Sequence, residues 1–237
     1  MDSEAQTTVA DITIRAAEAG DSDFLAWLIL TAGRAHVSKG IWEVVLGMPE
    51  EQCLHFLGLL SNTTIPHLFH HSCYLVADVD GAPRAGLGGY DPNIHGNAAL
   101  LQALPEVLRR IEGGSTEGGD TVGGSVEGAG LSLLQGDTPP RILSCIPEPA
   151  EGAWVIDSVA VAPAFRRQGL VSRLLEAALE QGRDGGFRRA QVNIYIGNVA
   201  AQRLYEKHGF AVADEIRDPY FEAEIGSPGM ARMLREL

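Results

Sequence analysis

The sequence predicts an α/β domain, and three observations carry that expectation. Stretches that alternate apolar and polar residues recur along the chain. Helical apolar stripes separate them. The long apolar run "AWVIDSVAVAP" (Ala153–Pro163) has the composition of a strand buried at the centre of a sheet. "DITIRAA" (Asp11–Ala17) alternates as a first strand, and "GDSDFLAWLILTAGRA" follows as a helix with Asp21 or Ser22 as cap and an apolar face from Phe24 to Ile29. "IWEVVLGMPEEQCLHFLGLL" reads as further helix. "CYLVADVDGAPRAGLGGYD" reads as a hairpin, with one strand from Cys73 to Val79, a turn at Asp80-Gly81 and a return strand to Tyr90. "NAALLQALPEVLRR" is helical in pattern. After the central strand come a helix from Leu170, the strand "RAQVNIYI", a helix from Asn198 to His208 and the strand-like "GFAVADEIR". The closing "GMARMLREL" fits either another strand or a last helix.

One segment breaks this regularity. "GGSTEGGDTVGGSVEGAG" (Gly113–Gly130) repeats glycine pairs and offers few side chains to bury, so it reads as a tether or as a loop over a site. "DTPPRILSCIPEPAEG" continues it with four prolines. Between Glu112 and Gly152 seven acids face Arg141 alone, so six of the thirteen net negative charges of the 237-residue chain fall in this stretch. A net charge of −13 argues against a general nucleic-acid binder and mildly favours cationic small molecules or basic peptides. No apolar run approaches the roughly 20 residues of a membrane span, and "MDSEAQTTVAD" lacks the plan of a secretion signal. Cys53, Cys73 and Cys145 are odd in number and show no paired spacing, which points to free thiols and a cytoplasmic protein. His67, His70 and His71 lack a carboxylate or thiolate at ligand spacing; a polar segment before the hairpin accounts for them, and no metal is expected. Trp27 and Trp42 read as core, and His36 near "GIW" as a residue that could line a cleft.

The functional signal lies at "FRRQGLVSRLLEAALE" (Phe165–Glu180). Arg166, Arg167 and Gln168 lead into Gly169 at the mouth of a helix, where unpaired N–H groups and the positive end of the helix dipole attract an anion. Neither GxxxxGK[ST] nor a strand-linked GxGxxG is present. Two neighbouring blocks are more specific. "VAVAPAFRRQGLVSRLLEAAL" resembles the coenzyme A loop of the GNAT acyltransferases, in which a strand ending in Val-x-Pro precedes [Gln/Arg]-x-x-Gly-x-[Gly/Ala] and a helix. "NVAAQRLYEKHGF" is similar to that family's Asn-x₆-Tyr-Glu-x-x-Gly-Phe block. Arg166 and Gly169 match; Val171 stands where glycine or alanine is usual and crowds the approach. The matched core runs from about Trp154 to Phe210.

The resemblance implies the GNAT fold: a mixed, mostly antiparallel central sheet flanked by helices. It implies one domain over residues 1–237, interrupted by an insertion from 92 to 152. It implies that the anion is the pyrophosphate of acetyl-CoA. Val159, Ala160 and Val161 would pair with the pantetheine arm as an added strand would. Arg167, Gln168, Gly169, Leu170, Val171 and Ser172, with Arg166, would wrap the phosphates, and Asn198, which also reads as a helix cap, would contact the cofactor near its arm. Tyr205 occupies the position that supplies a proton to the leaving thiolate. Several members carry a glutamate five residues before the Asn of the second block; here that position is Asn193, so Asp157 on the central strand becomes the candidate base, with an ordered water as the alternative. The expected activity is transfer of an acetyl group to a primary amine, either a small molecule or a peptide. A non-catalytic acyl-CoA-binding regulatory domain is the alternative. No membrane partner is expected, and a homodimer is compatible with the reading.

Overall fold

The structure is a computed structural model that describes residues 11–114 and 140–237. The Gly-rich reading therefore lies, from residue 115 onward, outside the described residues. Seven strands form one sheet in the order β1-β2-β3-β4-β5-β7-β6. They are β1 (Ile12–Ala16), β2 (Tyr74–Val79), β3 (Ala82–Tyr90), β4 (Ala153–Val161), β5 (Arg189–Tyr195), β6 (Ala211–Arg217) and β7 (Gly229–Glu236). Every neighbouring pair is antiparallel except β4 and β5. A parallel pair needs a long crossover, and the amphipathic helix of Leu170–Asp184 provides it. The expected mixed, mostly antiparallel sheet is what the chain builds.

Strand alternation divides the interior into separate hydrophobic cores. Tyr74 and Val76 of β2 join a first core with α1 (Ser22–Arg34), α2 (Ile41–Leu46), α3 (Glu50–Leu60) and, beyond the four-residue α4 (Pro92–His95), α5 (Asn97–Gly114). Leu75, Ala77 and Val79 point the other way, into a second core with α6 (Leu170–Asp184) and α7 (Val199–Lys207). A third cluster gathers Val45, Ile142, Tyr195 and Phe221 around α8 (Pro219–Ile225).

The structure sharpens several sequence expectations. The continuous helical reading from Ile41 to Leu60 is broken between Leu46 and Glu50, because Pro49 disfavours helix in the residue before it. Of the two readings of the C-terminal segment the strand holds: β7 lies between β5 and β6 and pairs with both. The helix α8 is an addition, and its start was legible: Asp218 accepts a hydrogen bond from the Tyr220 N–H at 2.9 Å, with Pro219 in the first turn. All three cysteines are free and buried. Burial pushes the Cys53 and Cys73 thiols up to about 11, which leaves them unreactive near neutrality.

His67 and His70 lie in the polar segment before the hairpin. Both are buried, and in each the ring Nδ1 accepts a backbone N–H, from Phe69 and Ser72 respectively. Burial is the main cause that pulls both rings down to about 4. Their unfolded counterparts titrate near 6.5, so between those values the unfolded chain binds more protons than the native one and stability is lost as the pH falls. Urea unfolding followed from pH 7 to pH 4.5 should show a loss of about 2 kcal/mol from His67 alone. A flat profile would contradict the buried, neutral state of these rings.

Gly229 opens β7 with φ 149°, and a Cβ built there would stand 1.9 Å from the Ile216 carbonyl oxygen on β6. Backbone atoms must move to admit any side chain. Gly229→Ala should therefore destabilise the fold by about 3 kcal/mol or more, read as a lower urea midpoint at unchanged slope.

Candidate active site

The site begins where two neighbouring strands part. The β4–β5 register runs from Ala153↔Arg189 to Ile156↔Val192 and stops there. Beyond it β4 pairs only with β3 and β5 only with β7. The edge of β4 from Asp157 to Val161 that faces away from β3 thus has no strand partner, and its N–H and C=O groups, apart from the Ser158 N–H that Asp157 takes, are available to an extended ligand. A bulge marks the same place: one residue, Leu87, lies between paired Gly86 and Gly88 on β3, against Ser158 and Val159 between Ala160 and Asp157 on β4. Ser158 takes φ 50°, as a bulged residue can.

The chain then turns into α6. The Ala162 N–H donates to the Arg84 carbonyl at 2.7 Å, and the Arg84 guanidinium lies 5.0 Å above the Phe165 ring, so β3 holds the start of the turn. Arg167 (φ 62°) and Gly169 (φ 79°) are both left-handed, an alternation of backbone hand that gathers successive N–H groups into a concavity suited to anions. Gly169 is the N-cap of α6, no side chain caps the helix, and a Cβ at Gly169 would meet nothing within 4 Å. No side-chain cap therefore competes for the first N–H groups of α6. That is a fit for a phosphate group.

A cavity of about 1690 Å³ joins these features. It is lined by Val159, Ala160, Val161, Arg166, Arg167, Val171, Asn198, Asp157 and Tyr205 of the predicted residues. Gln168, Gly169, Leu170 and Ser172 are not among the residues that line it. Gln168 donates to the Ala164 carbonyl, the Leu170 side chain is packed in the second core, and the Ser172 hydroxyl sits 3.0 Å from His208 Nε2. Leu170 can offer only backbone. Asn198 caps α7 by accepting the Ala201 N–H at 3.2 Å. His36 is exposed, stacked edge-on 6.4 Å from Tyr195.

Asp157 is the electrostatic centre. Burial raises its carboxyl above the usual range, and the Ser158 N–H, donated at 2.6 Å, offsets part of that rise. Tyr74, Tyr90, Tyr195 and Tyr205 all have hydroxyls raised first by burial, and the negative charge of Asp157 raises each further. Tyr205 is buried with its ring edge-to-face on Phe210 at 5.7 Å, and its hydroxyl makes no hydrogen bond among the described residues. Tyr195 is differently placed: its hydroxyl donates to the Gly33 carbonyl at 2.6 Å and accepts the Ile41 N–H at 3.3 Å, which ties β5 to α1 and α2.

Three of these tyrosines were not anticipated, because they reach Asp157 from β2, β3 and β5 through strand pairing. The role of Asn193 was also hidden. Its Nδ2 donates to the Pro147 carbonyl and its Oδ1 accepts from Gln191 Nε2, while Gln191 also binds the Glu148 carbonyl and the Ala150 N–H. The two amides are struts that hold residues 147–150 along β5. A carboxylate at position 193 would have no N–H to give Pro147.

Comparison with known proteins agrees with this geometry. The family model described as the acetyltransferase (GNAT) family matches residues 126–210. "GCN5-related N-acetyltransferase 6, chloroplastic" of Arabidopsis thaliana is 36% identical over 59 residues, which are 25% of this chain and only 20% of that protein. Among solved structures, an N-acetyltransferase from Staphylococcus aureus Mu50 superposes with TM-score 0.63 at 18% identity, over 94% of this chain and 99% of that one. A second acetyltransferase gives TM-score 0.60 at 20% identity over 94% and 98%. An agmatine N-acetyltransferase gives 0.50 at 18% identity over 96% and 100%. At these identities the structures speak for the fold alone. The chain thus shares the fold of these acetyltransferases and, over residues 126–210, is similar to the GNAT family.

Proposed function

We propose that the protein transfers an acetyl group from acetyl-CoA to a primary amine by direct attack on the thioester. One observation carries the reading: the unpaired edge of β4, Arg166, Arg167 and Val171 of the turn into α6, and both Asp157 and Tyr205 line the same cavity. Val159, Ala160 and Val161 would pair with the pantetheine arm, and the turn from Arg166 to Ser172 would hold the pyrophosphate. Asn198 stands beside that arm as a helix cap.

The residues divide the proton work. An attacking amine must be neutral, so a base has to accept its proton, and Asp157 is the carboxylate of the cavity with the raised affinity for one. The oxyanion that develops on the carbonyl is stabilised by free N–H groups of β4. Tyr205 stays protonated at neutral pH and stands ready to donate to the departing thiolate. The two groups are coupled: the charge of Asp157 holds the Tyr205 proton more tightly. Once Asp157 has taken the amine proton that hold is released, and Tyr205 becomes a better acid at the moment the thiolate leaves.

A thiol-release assay with acetyl-CoA and an amine panel tests the reaction. The pH profile tests the base. The rate should fall on the acid side as Asp157 protonates, at a pH above the ordinary carboxylate range, and Asp157→Asn should lower kcat by about 10²-fold and remove that limb. An acid limb that survives in Asp157→Asn would assign the base elsewhere. The strut role of Asn193 keeps a binding-only domain in view, since the usual acid is missing. Tight acetyl-CoA binding without thiol release toward any amine would establish that alternative. The protein named for agmatine shares this fold at a level that does not choose an acceptor.

A further inference from the structure

We infer that the acceptor is an arylalkyl amine, a primary amine carried on an aromatic body. This rests on the acyltransferase reading and deepens it. The cavity does not end at Asp157. It continues to the other face of the sheet, where Trp42, Phe56, Leu60, Phe69, Tyr90 and Leu104 line it. Apart from the half-buried Trp42 these are buried side chains, and all six belong to or pack on the first core. Trp42 and Phe69 meet edge-to-face at 4.8 Å. Protein interiors are close-packed, so a void reaching this far into an apolar core is space kept for a ligand.

Charge orders the cavity from end to end. Its lining cations are Arg166 and Arg167 at the start of α6 and Arg141, which is already paired with Asp218 at 2.9 Å. Asp157 stands between the basic end and the apolar end. The other lining carboxylates, Glu148 and Glu151, are exposed at the rim. Among the described residues the aromatic end therefore offers a second ammonium no counter-charge, and a cation buried there would be unpaired. An aromatic ring suits it, since ring edges and faces already line the wall. Two exposed apolar side chains also line the cavity: Leu101 and Ile146, 54% and 38% exposed. A ligand with a greasy body and one amine, entering body first past Leu101, places its nitrogen toward Asp157.

The test is steady-state thiol release with tryptamine and phenethylamine against putrescine, spermidine and a lysine-containing peptide. The arylalkyl amines should show kcat/KM at least tenfold higher than every polar acceptor; a polar amine or the peptide that equals them overturns the inference. Leu101→Asp, an exposed change that leaves packing alone, should raise the tryptamine KM at least fivefold without moving the acetyl-CoA KM. An unchanged tryptamine KM counts against the inference. If no acceptor is turned over, the proposed reaction fails and calorimetry decides the pocket separately. Saturable tryptamine binding that Leu101→Asp weakens upholds the aromatic site, and absence of binding up to millimolar tryptamine removes it.

Discussion

Gly169→Asp should abolish coenzyme A binding while leaving the fold intact. The two effects separate because of where the residue sits. Gly169 is the N-cap of α6, and the space around it is open. Aspartate is a favoured N-cap residue, so its carboxylate can turn back onto the free N–H groups of the first turn and steady the helix. Those are the groups proposed to hold the pyrophosphate. The new side chain thus satisfies the donors itself and sets a negative charge against the phosphates. Losing several charge-assisted hydrogen bonds at once should weaken binding at least 100-fold, or about 3 kcal/mol. Left-handed backbone costs any non-glycine residue about 1 kcal/mol, so Gly169→Ala serves as the control, with slightly lowered stability and modestly weakened binding. Calorimetry is the measurement. Wild-type affinity in Gly169→Asp would sink the assignment of the cofactor site.

Tyr205→Phe should lower kcat by about 10²-fold, the range a general acid supplies, with little change in acetyl-CoA affinity or Tm. Its surroundings make this a clean substitution. The ring is buried and packs on Phe210, and phenylalanine preserves that contact. The hydroxyl has no hydrogen-bond partner among the described residues, so deleting it strands no buried group. A loss of kcat is then chemical rather than structural. If Tyr205→Phe turns over at the wild-type rate, including at raised pH where more of the amine is already neutral, the thiolate leaves unaided.

How much of this was readable in the chain differs from element to element. The central strand, the turn at Arg166–Gly169, the helix behind it and the Asn198 cap were legible, because each rests on a local signal of pattern or capping. The surroundings of Asp157 were not. Tyr74, Tyr90 and Tyr195 come to it from distant stretches, through pairings set by sheet register rather than by spacing. Trp42, which reads as core, is half-buried, packs on the first core and also lines the cavity; apolar periodicity cannot tell a side chain that fills a core from one that lines a void within it. For His67 and His70 the sequence showed a polar segment but not that it lies in the interior, where their neighbours' backbone N–H groups satisfy them. Asn193 looked like a lost base, and only the Pro147 carbonyl opposite it shows why an amide is needed there.

The two cores on opposite faces of the sheet also bear on how such a molecule can diverge. The first is built by α1, α2, α3 and α5, the second by α6 and α7, and they share strands but form separate side-chain clusters. Substitutions in one should add to substitutions in the other with little interaction, as distant sites generally do. A lineage can therefore rewrite α2, α3 and α5, and with them what the apolar end accepts, while inheriting the cofactor half unaltered. On the proposed function, a chimera that carries a relative's first-face helices on this sheet should retain the acetyl-CoA affinity proposed for this half and exchange the proposed choice of amine.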